Sequence, residues 1–174
     1  NEIELQNILY TAQSGLSHPI AIRYPRGRGV IKDWEISNFG KYETIEIGKA
    51  KLLKTGSKTA ILSTGAIGNN VSMALAKIEH LENFAHYDFA FVKPLDEKEL
   101  HHIFNQFETI ITVEDGGVKG GFGSAVSEFA AIHNYKSKIQ FLGIPDVFIE
   151  QGSIDDLQQY CAISVDSLKN ILSS

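Results

Sequence analysis

The chain has 174 residues, 43% apolar, 10% aromatic and 21% charged, with a formal net charge of −5. That length suits one domain with room for a piece of a second, and the apolar share excludes general disorder. No basic run marks a nucleic-acid partner, the longest apolar runs, such as residues 89–92, fall far short of the ~20 residues that cross a bilayer, and one cysteine, Cys161, makes neither an internal disulfide nor a cysteine metal cluster. The composition leads us to expect a soluble, cytoplasmic chain with no nucleic-acid or membrane partner.

Asn1 with Glu4 three places on has the form of a capping box. Leu5, Ile8, Leu9 and Ala12 follow at the spacing of one helix face. A chain that opens inside an element, with no initiator Met and no signal segment, is expected to be part of something longer. Gly15 and Ser17-His18-Pro19 break the pattern. Ile20, Ile22 and Tyr24 then alternate with Ala21 and Arg23 as a short strand that Pro25 ends. Arg26-Gly27-Arg28-Gly29 is a compact basic loop, and residues 30–44, polar and holding Trp34, read as a linker.

Beyond it the pattern is regular. Residues 45–55 read as an edge strand or hairpin arm and residues 59–63 as an apolar strand. Gly65 then turns the chain into a helix carrying Ile67, Val71, Ala74, Leu75 and Ile78. A strand is predicted over 87–92, ending at Pro94. Asp96 can cap the next helix, with Leu100, Ile103, Phe104 and Phe107 as its core face. Residues 109–114 form a buried-type strand, followed by a glycine-rich loop, a helix over 122–133, a strand over 139–142 and short helices near 153–160 and 165–173. Strand and helix alternate, so the fold class is α/β with a largely parallel sheet.

Two motifs carry chemistry. Residues 114–124, Glu-Asp-Gly-Gly-Val-Lys-Gly-Gly-Phe-Gly-Ser, place five glycines between a strand end and a helix start, where backbone N–H groups can cradle an anion. The spacing is neither GxGxxG nor a P-loop. It fits tight turning and close helix–strand packing as well as a ligand or domain interface. In Arg23-Tyr24-Pro25-Arg26-Gly27, two arginines three apart beside a glycine suit a phosphate or carboxylate; an exposed salt-bridged loop fits the same residues. The remaining candidates read blandly. Adjacent Glu114 and Asp115 face opposite sides of a strand. His18, His80, His86, His101, His102 and His133 form no HExxH-like pair and read as solvated surface. Ser124 lacks the flanks of a nucleophile elbow, and Cys161 reads as a small core residue. No self-contained catalytic constellation, cofactor site or metal site emerges.

Taken in order, several blocks resemble the C-terminal portion of the 1-deoxy-D-xylulose-5-phosphate synthases. They are Arg23-Tyr24-Pro25-Arg26-Gly27, Ile47-Gly48-Lys49-Ala50, Phe91-Val92-Lys93-Pro94-Leu95-Asp96, Thr112-Val113-Glu114 with Gly120-Gly121-Phe122-Gly123-Ser124-Ala125-Val126, and the block from Gly143 to Ser153. The strand–Glu–glycine block is shared with transketolases and the β part of 2-oxoacid dehydrogenases; the others are closer to the synthases. The resemblance implies residues 1–28 as the tail of a pyrimidine-binding middle domain (a helix and strand of an α/β domain), 29–44 as a linker and 45–174 as a three-layer transketolase C-terminal domain.

It further implies a transferase of isoprenoid and thiamine biosynthesis that uses thiamine diphosphate and Mg²⁺. Such an enzyme condenses pyruvate with D-glyceraldehyde 3-phosphate, releasing CO₂. In that family the diphosphate and Mg²⁺ are held by a Gly-Asp-Gly motif and the aminopyrimidine by a glutamate of the middle domain. Neither is in this sequence, so no cofactor is expected bound to this chain and turnover is expected to need the missing N-terminal and middle domains. This segment is expected to scaffold a homodimer and to supply Arg26 to the substrate phosphate, with Tyr24 and Arg23 in support. Where the family often has Asn, this sequence has Arg28. The C-terminal domain of another thiamine enzyme (a transketolase or the β component of a 2-oxoacid dehydrogenase) and a non-catalytic module of that fold are the alternatives.

Overall fold

In the computed structural model, which describes residues 1–27, 29–31 and 40–173, the chain divides into two units, Asn1–Ile47 and Gly48–Ser174. The first is built on helix α1 (Glu2–Gln13), and its capping box forms as the sequence predicts. Asn1 Oδ1 accepts from the Glu4 backbone N–H at 3.1 Å, and the Glu4 carboxylate accepts from the Asn1 amino group at 2.6 Å. Its buried residues, however, are Asn7 and Thr11, while Leu9 is exposed. The reason is hydrogen bonding: Asn7 Oδ1 accepts from the Glu43 N–H (3.1 Å), Thr11 Oγ1 accepts from the Ile45 N–H (2.9 Å), and Gln6 donates to the Lys41 carbonyl (2.9 Å). Backbone groups of a segment outside any sheet are thus satisfied by helix side chains.

Residues 20–24, expected as a strand, pair with no other strand among the described residues. Alternation supplies the shape of a strand; a ladder needs a neighbour. Most of the expected linker (residues 32–39), with Trp34, and Arg28 lie outside the described residues.

The second unit is a five-stranded sheet: β1 (Lys51–Lys54), β2 (Thr59–Thr64), β3 (Phe84–Asp88), β4 (Thr109–Gly117) and β5 (Lys138–Ile144), in spatial order β1-β3-β2-β4-β5. β3, β2, β4 and β5 run parallel, and only the edge strand β1 is antiparallel. Helices α2 (Ile67–Leu75), α3 (Glu97–Gln106), α4 (Phe122–Ile132), α5 (Ile154–Tyr160) and α6 (Val165–Leu172) follow in chain order.

Period-two alternation divides the strand residues between two cores. Ala60, Leu62, Ala85, Tyr87 and Ile110 pack under α3 and α4 with Leu100, Ile103, Phe104, Phe122, Val126 and Phe129. Ile61, Ile111 and Val113 pack on the other side with Ile67, Val71, Ala74 and Leu75 of α2 and Leu168 and Leu172 of α6. The result is the expected three-layer α/β/α arrangement. Because α2 covers one face and α3 and α4 the other, the connections after β2 and β4 leave in opposite directions. In open α/β sheets that divergence opens a crevice at the carboxyl ends of the strands.

β3 lies a few residues earlier than predicted. Its second-face position is taken by His86, which hydropathy scores as polar, so the apolar run at 89–92 reads as the better strand. Asp96 does cap α3, accepting from the Glu99 N–H (3.1 Å); its other oxygen accepts from the Ala50 N–H (3.1 Å), tying the start of α3 to the residue before β1.

Candidate functional site

In the first unit, Pro25 fixes one backbone angle of the Arg23–Gly27 loop and Gly27 (φ +152°) turns it. Arg23, Tyr24 and Arg26 are all exposed, and neither arginine forms an ion pair or side-chain hydrogen bond among the described residues. The downstream end of the loop is pinned: Glu2 Oε1 accepts from the Ile31 N–H at 3.1 Å, and Gly29 lies so close to that carboxylate that a Cβ there would overlap it. The arrangement presents two forked cations on a loop anchored at one end.

In the second unit, the glycine-rich block sits at the carboxyl end of β4. Glu114 and Asp115 do point to opposite sides: Glu114 is 5% exposed and Asp115 is open to solvent. The Glu114 carboxylate turns back onto the start of α4, accepting from the Phe122 N–H through Oε2 and the Gly123 N–H through Oε1, both at 2.9 Å. A Cβ on Gly121 would collide with that carboxylate, and one on Gly143 would press to 3.0 Å on its Cγ. A Cβ on Gly123 would come within 2.5 Å of Thr112 Oγ1 and 2.7 Å of the Phe141 ring. Three glycines are therefore demanded by the close approach of strand, helix and carboxylate. The amides at the positive end of α4 already hold an anion, the protein's own, so the glycines around this helix start serve close packing.

The other candidates resolve as follows. Ser124 braces the loop, donating to the Val118 carbonyl (2.8 Å) and accepting from the Gly120 N–H (3.0 Å). Cys161 packs partly buried against the α2–α6 core, and burial, with the Asp115 carboxylate adding to it, pushes its thiol above the ordinary value. It is not an activated nucleophile. His86 corrects the expectation of a solvated histidine: at 1% exposure it lies with Nε2 2.8 Å from the Ser63 hydroxyl and Nδ1 3.4 Å from that of Ser72. Burial lowers its pKa from 6.5 to about 4, so it is neutral at pH 7. Only the alternation of β3 could have signalled it. His101 is also half-buried, bonded through Nδ1 to the Tyr135 hydroxyl (2.8 Å) within a cluster of Phe129, His133 and Tyr135 rings. No group of three metal-ligating side chains occurs among the described residues, and no helix there is long and apolar enough to cross a membrane.

Residues 48–168 match the family model described as the transketolase C-terminal domain. The chain belongs to that family. The match opens at Gly48, the first residue of the second structural unit. The transketolase C-terminal domain fold is likewise found in solved structures. A split-gene transketolase described as an inactive β4 tetramer superposes with a TM-score of 0.67 at 24% identity, over 74% of this chain and 42% of that one. A transketolase from Campylobacter jejuni gives 0.51 at 21% identity, over 73% and 19%.

Curated relatives reach further than this domain. Proteins of Parabacteroides distasonis and Bacteroides thetaiotaomicron are each 45% identical over 97% of the chain, and one of Cytophaga hutchinsonii is 46% identical over 97%. All three are named 1-deoxy-D-xylulose-5-phosphate synthase, in keeping with the resemblance read from the sequence blocks. The chain spans 26% of the length of each.

Proposed function

We propose that this chain is the C-terminal part of a 1-deoxy-D-xylulose-5-phosphate synthase, a transferase that condenses pyruvate with D-glyceraldehyde 3-phosphate and releases CO₂. The observation that carries this reading is the 45% identity, over 97% of the chain, to proteins of that name. In this reading residues 1–28 are the tail of the preceding domain, 29–44 the linker and 45–174 the transketolase C-terminal domain, in a cytoplasmic homodimer. The exposed Leu9, Tyr10 and Ile20 of the first unit fit a tail whose covering surface lies elsewhere in the polypeptide.

The reaction calls for thiamine diphosphate, whose thiazolium stabilises the two-carbon carbanion, together with Mg²⁺. The residues present do not fit that cofactor. The glycine-rich helix start of α4 is filled by Glu114, and no group of three acidic, histidine or cysteine side chains among the described residues suits a divalent ion. Cofactor binding and carbon–carbon chemistry therefore belong to the rest of the polypeptide, and this chain alone is expected to be inactive.

What this chain contributes to the substrate is Arg26. Its guanidinium is exposed and unpaired among the described residues, so the charge is available to a ligand rather than spent in a salt bridge. A planar fork matches two phosphate oxygens, with Tyr24 and Arg23 flanking it. Arg26→Ala in the full-length enzyme removes a charge-assisted contact worth about 1.5–3 kcal/mol. That corresponds to roughly a 10- to 150-fold rise in KM for the phosphorylated aldehyde. KM for pyruvate should stay near its original value, and Arg26→Lys should recover part of the loss. An unchanged aldehyde KM would move the phosphate elsewhere and leave Arg26 a surface residue.

A further inference from the structure

Between β5 and α5 the chain runs through Pro145-Asp146-Val147-Phe148-Ile149-Glu150-Gln151-Gly152 as an irregular arm. The Phe148 side chain is fully exposed at 106%, and Val147 and Ile154 are 59% and 51% exposed. The backbone groups of residues 148–152 make no hydrogen bond among the described residues. The foot of the arm, by contrast, is fixed. Val118 N–H donates to the Ile144 carbonyl at 3.0 Å, Val147 N–H to the Pro145 carbonyl at 2.8 Å, and Lys119 pairs with Asp146 at 2.7 Å. A hollow of about 240 Å³ lined by Gly117, Lys119, Pro145, Asp146, Val147 and Phe148 opens beside it. An anchored arm that holds an aromatic ring and amides without a protein partner in water has the form of a binding element.

Charge indicates what it binds. Residues 139–168 hold Asp146, Glu150, Asp155, Asp156 and Asp166 and no Lys, Arg or His. Glu150, Asp155 and Asp156 form no ion pair among the described residues. The complementary surface is an apolar pocket rimmed by basic groups. A second copy is a poor match, because residues 48–174 carry 11 Lys against 15 Asp and Glu, and a two-fold contact centred on the arm sets Glu150 against its own equivalent. The relatives extend over roughly four times the length of this chain, 26% of each being covered.

We infer that the arm at 145–154 docks, with Phe148 as its anchor, into a basic-rimmed apolar pocket on the remainder of the same full-length polypeptide. This rests on the reading that the chain is the C-terminal part of a longer protein.

Hydrogen–deuterium exchange of the 148–152 amides tests it, comparing the full-length protein with the 174-residue chain. The expected result is exchange about tenfold or more slower in the full-length protein, unchanged on hundredfold dilution. Equal rates in both overturn the inference, and protection that vanishes on dilution overturns it in favour of a second copy. Phe148→Ser supplies an independent reading. It should lower the melting midpoint of the full-length protein by several degrees and leave that of the 174-residue chain unmoved; equal shifts in the two would contradict docking. Neither readout involves turnover, so protection in a full-length protein without synthase activity would retain the arm's role and remove the proposed reaction.

Discussion

Glu114 and His86 show how single side chains fix the second unit. Glu114 is a buried carboxylate whose two oxygens each accept a backbone N–H at the start of α4. Removing it leaves two buried donors and a cavity among three glycines. Glu114→Ala should therefore cost about 3 kcal/mol, read as a lower midpoint in urea. Glu114→Gln, which keeps the shape and one acceptor, should cost less. His86 is buried neutral between two serine hydroxyls. The unfolded chain takes up a proton near pH 6.5, whereas the folded chain resists until about 4. The unfolded state thus binds more protons between those values, and stability falls as pH drops through that window. The total loss is about 3 kcal/mol. Urea midpoints measured from pH 7 to pH 4.5 should decline and flatten in His86→Gln; a wild-type midpoint independent of pH would contradict the assignment.

Among the elements, those whose apolar residues follow one period were legible in the sequence. Ile67, Val71, Ala74 and Leu75 of α2, and Leu100, Ile103 and Phe104 of α3, are buried as their spacing predicts. Asn1 and Asp96 cap the helices they were expected to cap. What escaped depends on partners. The face of α1 is decided by free amides at Glu43 and Ile45, which no periodicity encodes. Residues 20–24 have strand-like alternation and no ladder. The use of Glu114 as an internal anion was hidden because a glycine run after a strand looks the same whether its amides meet a ligand or a side chain. Thr11→Val, which removes the acceptor for the Ile45 N–H, should destabilise the first unit by about 1–2 kcal/mol and raise the exchange rate of that amide. A Thr11→Val chain with unaltered exchange at Ile45 would show that the segment is held by other contacts.

At the scale of the whole molecule, residues 48–168 match the transketolase C-terminal domain, and the smaller unit that precedes them in the chain displays an arginine loop. The domain has its own core on both sides of its sheet. Its glycine-rich loop is closed by an internal carboxylate, and its exposed arm points outward. The most direct test of this account is to incubate the full-length protein, with thiamine diphosphate and Mg²⁺, with pyruvate and D-glyceraldehyde 3-phosphate, beside the 174-residue chain alone, and to measure CO₂ and 1-deoxy-D-xylulose 5-phosphate. The account predicts both products, in equal amounts, from the full-length protein and none from the 174-residue chain. Transfer of two-carbon units between sugar phosphates without pyruvate, or turnover by the 174-residue chain itself, would contradict it.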